Sequence, residues 1–119
     1  DDIRYTGDAV CTPLTGGLFR PVVGFINKCS EVTGIEEPIF DMQMGYGNTN
    51  KDSGEGFRVN NLFGTHLIGP LLAKNPEFAG MVLRLIGERE GFTVTSKTCE
   101  YEEKAYEITL SELNKRING

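Results

Sequence analysis

The sequence predicts several short strands followed by two helices, an order that gives α+β layer packing if the chain stands alone. In the first two-thirds of the chain, short apolar runs are separated by clusters of glycine, proline and asparagine, as is typical of strands and turns. In the last third, apolar residues recur at helical spacing. The 119 residues are 39% hydrophobic and 24% charged, which fits one soluble globular region and excludes a disordered chain.

Three strands are predicted before residue 45. The segment Ile3 to Thr12 is interrupted by Gly7-Asp8, which indicates a bent or bulged strand. Arg20 to Asn27 contains a continuous apolar run, which favours a strand buried on both faces. Ile39 to Met44 is the third strand, and the polar segment Glu31 to Pro38 before it is predicted to be a loop.

A polar loop and a hairpin are predicted next. Asn48 to Gly56 consists almost entirely of turn-forming residues, which predicts a surface loop. Phe57 to Val59 and Leu62 to Ile68 are predicted to be two strands. Asn60-Asn61 between them tolerates positive φ, which favours a tight hairpin turn.

Two helices are predicted in the last third. Asn75 is a suitable N-cap and Pro76 suits the first helical position, so a helix is expected from there to the stop signal at Gly91. Phe92 to Val94 is predicted to be an extended link. A second helix is expected from about Cys99 to Ile117, because apolar residues lie on one face of it (Tyr106, Leu110, Leu113 and Ile117).

The charge and the cysteines exclude several classes of function. Twelve basic and seventeen acidic residues give a net charge of −5, so neither nucleic acid nor an anionic membrane is expected as a partner. No apolar run approaches the roughly 20 residues of a membrane-spanning helix. Cys11, Cys29 and Cys99 lack metal-site or disulfide spacing, which predicts reduced thiols in a cytoplasmic protein and no metal site. No other cofactor is expected.

One segment carries the residues that could do chemistry. Phe63 to Pro76 runs from a predicted strand through Gly69-Pro70 into a capped helix, and it contains His66, the only histidine of the chain. A histidine general base would have to be this residue. The alternative is a hydrogen-bonded histidine without a chemical role. No Gly-x-Cys-x-Gly or Gly-x-Ser-x-Gly elbow supplies a nucleophile, and no phosphate-binding glycine loop occurs.

The chain also resembles a known family, the class I glutamine amidotransferases of the cobyric acid synthase type. Phe63 to Pro76 is similar to the family segment Gly-Thr-Tyr-Leu-His-Gly-Pro-Leu-Leu-Pro-Lys-Asn-Pro. Further similar segments, in the same order, are Arg4 to Val10, Val23 to Lys28, Gly45 to Asn48 and Glu55-Gly56. Among the branches of this family, the chain most resembles the glutaminase subunit of lipid II isoglutaminyl synthase.

The resemblance implies a fold and a set of site residues. The fold would be α/β, the C-terminal half of a flavodoxin-like amidotransferase domain, with residues 1–119 as a single region of it. The catalytic histidine of the family stands immediately before Gly-Pro, where this chain has Ile68, and His66 lies two positions earlier. His66 is therefore the candidate catalytic residue. Asn27 and Asn48, which match family asparagines, are candidate glutamine-binding residues. Lys28 stands where the family has a histidine.

The implied activity is hydrolysis of glutamine and delivery of ammonia to an ATP-dependent amide-forming synthase, with a lipid II glutamate or a cobyrinate-type acceptor. The nucleophilic cysteine of the family lies in the N-terminal half of its domain. Expected partners are therefore that N-terminal half or a second copy of the chain, together with a Mur-ligase-like or other synthase. Because Ile68 replaces the family histidine, the alternative is a catalytically inactive binding or scaffold module with the same fold.

Overall fold

A computed structural model describes residues 4–49, 51–93 and 100–118. The strands are β1 (Tyr5–Pro13), β2 (Val22–Lys28), β3 (Phe40–Met44), β4 (Gly54–Glu55), β5 (Phe57–Val59), β6 (Leu62–Gly64) and β7 (Leu67–Ile68). The helices are α1 (Leu71–Lys74), α2 (Pro76–Glu90) and α3 (Glu100–Asn118). Ile3, Asn50, Val94 and Cys99, which fall within predicted segments, lie outside the described residues.

Five strands form one sheet in the order β4-β3-β1-β2-β7. Each neighbouring pair in this sheet is antiparallel. The register of β1 slips between Val10 and Cys11, which is the bulge that the sequence led us to expect in this strand, although the break lies after Gly7-Asp8. The strands β5 and β6 form a separate two-stranded hairpin, and Asn60 at its turn has a φ of 54°.

The two long helices cover opposite faces of the sheet. On one face, Phe78 and Met81 of α2 pack with buried residues of the strands (Ala9, Cys11, Val22, Ile26, Phe40 and Leu67) and with Ile39, which directly precedes β3. On the other face, Tyr106 and Leu113 of α3 pack against Val10 and Val23. Alternate residues of β1 and β2 therefore face different helices. This arrangement confirms that β2 is a strand buried on both faces.

The predicted elements agree with the structure for β1, β2, β3, the β5–β6 hairpin, α2 and the described part of α3. The α/β class agrees as well. The flavodoxin-like arrangement stays a prediction. It depends on parallel strands, whereas every strand pairing among the described residues is antiparallel, so these pairings give it no support.

Three local predictions were wrong. The predicted loop Asn48 to Gly56 contains the short strand β4, because Gly54 and Glu55 pair with β3. The predicted strand Leu62 to Ile68 is divided into β6 and β7, which belong to different sheets. The described residues contain three helices rather than two; α1 has a single turn, which is too short for apolar periodicity to reveal it.

Asn75 is buried, and its side chain forms hydrogen bonds with the sheet instead of capping the helix that follows it. Its side chain makes no capping hydrogen bond to α2. Its Oδ1 accepts from the Val23 backbone N–H at 2.7 Å, and its Nδ2 donates to the Val23 carbonyl at 2.7 Å and to the Leu71 carbonyl at 2.8 Å. The side-chain amide thereby forms the hydrogen bonds of the Val23 backbone in β2, beyond the residues that pair with β7, as a neighbouring strand would.

We expect Asn75→Asp to lower the free energy of unfolding by about 1–3 kcal/mol, because an ionised carboxylate has no donor for the buried carbonyls of Val23 and Leu71. Asn114→Asp, at an exposed position on α3, is the matched control and should change stability by less than about 0.5 kcal/mol. Urea unfolding followed by circular dichroism measures both. Equal midpoints for the two variants would contradict the role given to Asn75.

The helix α3 is held against the start of β2 by a cluster around Arg20. The guanidinium of Arg20 donates to both carboxylate oxygens of Glu103, at 2.9 and 2.8 Å. It also lies 4.2 Å from the centre of the Tyr106 ring, and the Tyr106 hydroxyl donates to the Pro21 carbonyl. The bidentate hydrogen bonds from Arg20 hold the pKa of Glu103 below its ordinary value.

Glu103→Gln should destabilise the fold at pH 7 by up to about 1 kcal/mol, since both partners are partly exposed. A carboxylate with a lowered pKa in the folded state stabilises the fold above the ordinary value of about 4.3, and this contribution disappears as pH falls through the folded-state pKa. The difference between variant and wild type should therefore shrink as pH falls below this ordinary value and through the lower folded-state pKa. Glu102→Gln, at an exposed neighbouring position, is the control. A pH-independent difference in thermal unfolding would contradict this account.

Candidate functional site

A fully buried carboxyl group stands at the centre of the candidate site. Glu55 of β4 has no solvent exposure, and each of its carboxyl oxygens accepts a hydrogen bond. Oε1 accepts from the backbone N–H of His66 at 2.7 Å, and Oε2 accepts from the Thr65 hydroxyl at 2.7 Å. Thr65 Oγ1 in turn accepts from the Leu67 N–H at 3.0 Å. Buried carboxyl groups require such partners, because an unpaired one is costly.

These contacts show that the sheet is curled. The strands β4 and β7 lie at opposite edges of the sheet, with three strands between them. In a flat sheet with neighbours about 4.8 Å apart, the two edges would be separated by about 19 Å. Glu55 nevertheless contacts His66, which immediately precedes β7. Glu55 therefore joins the two edges of the sheet.

The imidazole ring of His66 lies against the same carboxyl group. Its Nδ1 is 3.4 Å from Glu55 Oε1 and is buried without a hydrogen bond in the described structure. The side chain as a whole is 29% exposed. The exposed surface therefore belongs to the rest of the ring, which includes Nε2.

His66 and Ile68 do not share a strand. The alternation of side chains in a strand would place residues two apart on one face, but β7 begins at Leu67 and His66 precedes it. The backbone at Thr65 and His66 turns toward Glu55, which is why the predicted strand is divided here. Ile68 pairs with Phe25 of β2 and is 48% exposed.

The structure places Asn48 in a structural role within the chain. Its Oδ1 accepts from the Gly56 N–H at 2.8 Å, and its Nδ2 donates to the Gly56 carbonyl at 3.0 Å. The ammonium of buried Lys28 donates to the backbone carbonyls of Gly47 and Asn48. Burial lowers the pKa of Lys28, while the negative charges of Glu55 and Glu31 act in the opposite direction. Asn48 and Lys28 together fix the loop that leads into β4.

Asn27 is exposed on β2, one residue beyond the position that pairs with β7. Its Oδ1 accepts from Arg4 Nη1 at 2.8 Å, and its pairing partner on β1 is Thr6. His66 likewise lies one residue beyond the last paired position of β7. The antiparallel register thus brings Asn27 and His66 to the same end of the β2–β7 pair. Glutamine binding by Asn27 or by Asn48 stays a prediction.

The two described cysteines differ sharply. Cys11 is buried in the core and donates weakly to the Val22 carbonyl, at 3.7 Å. Burial, reinforced by the charges of Glu55 and Asp41, raises the pKa of its thiol far above the ordinary value. Cys29 is exposed. Because the thiolate is the nucleophilic form, Cys11 is unsuited to nucleophilic catalysis in the folded chain.

Iodoacetamide at pH 8 should alkylate Cys29 in the native protein and leave Cys11 unmodified until guanidinium chloride unfolds the chain, because a buried thiol is both shielded and protonated. Peptide mass spectrometry distinguishes the two sites. Modification of Cys11 at the same rate as Cys29 under native conditions would contradict the burial of its thiol.

Glu55 is the main residue that sequence reasoning missed. It stood inside a predicted surface loop and was noted only as part of a Glu-Gly pair. The signal that the sequence offered was the similarity of Glu55-Gly56 to a Glu-Gly pair of the family. Over the described residues, no helix is long and apolar enough to cross a membrane. The same part of the chain holds no cluster of three or more metal-ligating side chains.

Comparison with known proteins gives one informative match. The chain is 32% identical over 115 residues to the subunit GatD of lipid II isoglutaminyl synthase (glutamine-hydrolyzing) from Staphylococcus aureus strain N315. The chain is thus similar to a GatD-like glutamine amidotransferase. The aligned region covers 95% of this chain and 46% of GatD, so the chain spans about half the length of that relative. No protein-family model matches.

The match confirms the resemblance to the glutaminase subunit that the motifs around Gly69-Pro70 indicated. It includes almost all of the chain, so the similarity is not confined to the motif around Gly69-Pro70. The broader assignment to the cobyric acid synthase type stays a prediction.

Proposed function

We propose that this chain forms part of a glutaminase-type amidotransferase subunit, which hydrolyses glutamine and passes the ammonia to a ligase-type partner. The observation that supports this most strongly is the similarity to GatD over 95% of the chain. The partly exposed ring of His66, placed between the buried Glu55 and solvent, supplies a group that could transfer protons.

In the proposed reaction, a cysteine thiolate from another part of the protein attacks the side-chain amide carbon of glutamine. Imidazolium His66 gives a proton to the departing nitrogen as the C–N bond breaks, which releases ammonia and leaves a thioester. Water then attacks the thioester, with neutral His66 accepting its proton, and glutamate leaves as the thiolate re-forms. Asn27, at the same end of the β2–β7 pair, would contact the glutamine.

As the acceptor of the ammonia, we propose the glutamate of a lipid II stem peptide rather than a cobyrinate-type acid. The name of the matched relative refers to lipid II. The partner would then be a Mur-ligase-like synthase that activates the carboxylate with ATP.

A specific observation favours a second candidate function, a catalytically inactive module that retains the partner-binding surface. Ile68 occupies the position of the family histidine, and it is half-exposed on β7 with no group that can transfer a proton. His66 does not replace it along the same strand, because β7 starts after His66.

Glutamine hydrolysis by the natural full-length protein, together with its synthase partner, tests these alternatives. If His66 transfers protons, His66→Gln should lower kcat by about 10²–10⁴, while Asn61→Gln at an exposed hairpin position should leave it unchanged. Wild-type kcat in His66→Gln would overturn the role of His66. If the wild type does not hydrolyse glutamine and the Ile68→His variant does, the result would support the second candidate instead.

A further inference from the structure

We propose that Glu55 is a positioning residue for His66: its carboxylate holds the imidazole with Nδ1–H directed inward and leaves Nε2 free to exchange protons with reacting groups. The orientation itself is a property of this structure, while its use in catalysis rests on the proposed function. The partnership is specific to this chain's geometry, because Glu55 lies eleven positions before His66 and on the opposite edge of the sheet.

The first support is the environment of Nδ1. This atom is buried and makes no hydrogen bond in the described structure, and Glu55 Oε1 lies 3.4 Å from it. A neutral imidazole carries its proton on one nitrogen and a lone pair on the other. A lone pair on Nδ1 would face a carboxylate oxygen and be repelled, whereas an Nδ1–H would be attracted to it. The carboxylate therefore favours the tautomer protonated at Nδ1.

The second support is the rigidity of the carboxyl group. Glu55 is fully buried, and its two oxygens are fixed by the His66 N–H and by the Thr65 hydroxyl. The same oxygen that lies 3.4 Å from Nδ1 also accepts the hydrogen bond from the backbone of His66, so the backbone and the ring of this residue both lie against one fixed atom. A carboxylate in such a place orients a histidine without taking its proton.

The third support is the exposure of the rest of the ring. With Nδ1 buried, the 29% exposure of the His66 side chain falls on the part that includes Nε2. In the Nδ1–H tautomer, Nε2 carries the lone pair and can accept a proton from a nucleophile and return it to a leaving group. This division of the ring is the one that a general acid–base histidine requires.

The test uses the natural full-length protein labelled with ¹⁵N-histidine, with the His66 signal assigned by comparison with His66→Gln. Nitrogen chemical shifts of the neutral imidazole report which nitrogen bears the proton. We expect Nδ1 to be the protonated nitrogen in the wild type. A wild-type spectrum dominated by the Nε2–H tautomer overturns the proposal without the need for a variant.

Two variants separate orientation from stability. Glu55→Gln keeps the size of the side chain and removes its charge, so it should shift His66 toward the Nε2–H form. Thr65→Val removes a hydrogen bond to the same carboxyl group and retains the charge, so it should keep the Nδ1–H form even if it destabilises the fold. A Glu55→Gln spectrum identical to that of the wild type overturns the proposal. If Glu55→Gln does not fold, the wild-type spectrum decides.

Glutamine hydrolysis supplies the second measurement. Glu55→Gln should lower kcat by up to about 10⁴-fold, as replacing the orienting carboxylate of a general acid–base histidine by an amide does, and Thr65→Val should lower it far less. Equal kcat values for the two variants overturn the catalytic use of Glu55. If the wild type does not hydrolyse glutamine, the proposed function is overturned, and the spectra alone decide whether Glu55 orients His66.

Discussion

The described fold depends on one buried carboxyl group. Glu55 joins β4 to the residues that precede β7, and these strands are the two edges of the sheet. The curl that brings the edges together also places Cys11 and Lys28 within the electrostatic influence of the same group. An unpaired buried carboxylate would be strongly unfavourable, so the chain at Thr65 and His66 must turn toward Glu55 rather than continue as a strand.

This constraint links the architecture to the candidate chemistry. Because the chain turns between β6 and β7 instead of continuing as one strand, the ring of His66 lies beside Glu55. Ile68, where the resemblance places the family histidine, remains in β7 and pairs with Phe25. His66 therefore has a different partner and a different environment from Ile68, although the two are only two residues apart in sequence. Asn75 stabilises the other side of this arrangement by completing β2.

Local patterns were sufficient to predict most of the elements. The apolar run of β2, the Asn-Asn turn, the Pro76 start of α2 and the apolar stripe of α3 all depend on residues close together in sequence. The β4 strand was not predictable in this way, because two residues in a polar loop become a strand only by pairing with β3. The candidate site was half predictable: His66 was identified as the only histidine, but its carboxylate partner was not.

The sequence by itself therefore determined the α/β class, the position of the single histidine, the absence of a nucleophile elbow in these residues and the resemblance to glutaminase subunits. Only the tertiary structure decided that the sheet is antiparallel and curled, that Asn48 and Asn75 bind backbone groups, and that Glu55 faces His66. The physical reason is that propensity and periodicity act over one turn or one strand. A buried polar side chain instead takes its hydrogen-bond partners from whatever segments the folded chain brings within about 3 Å.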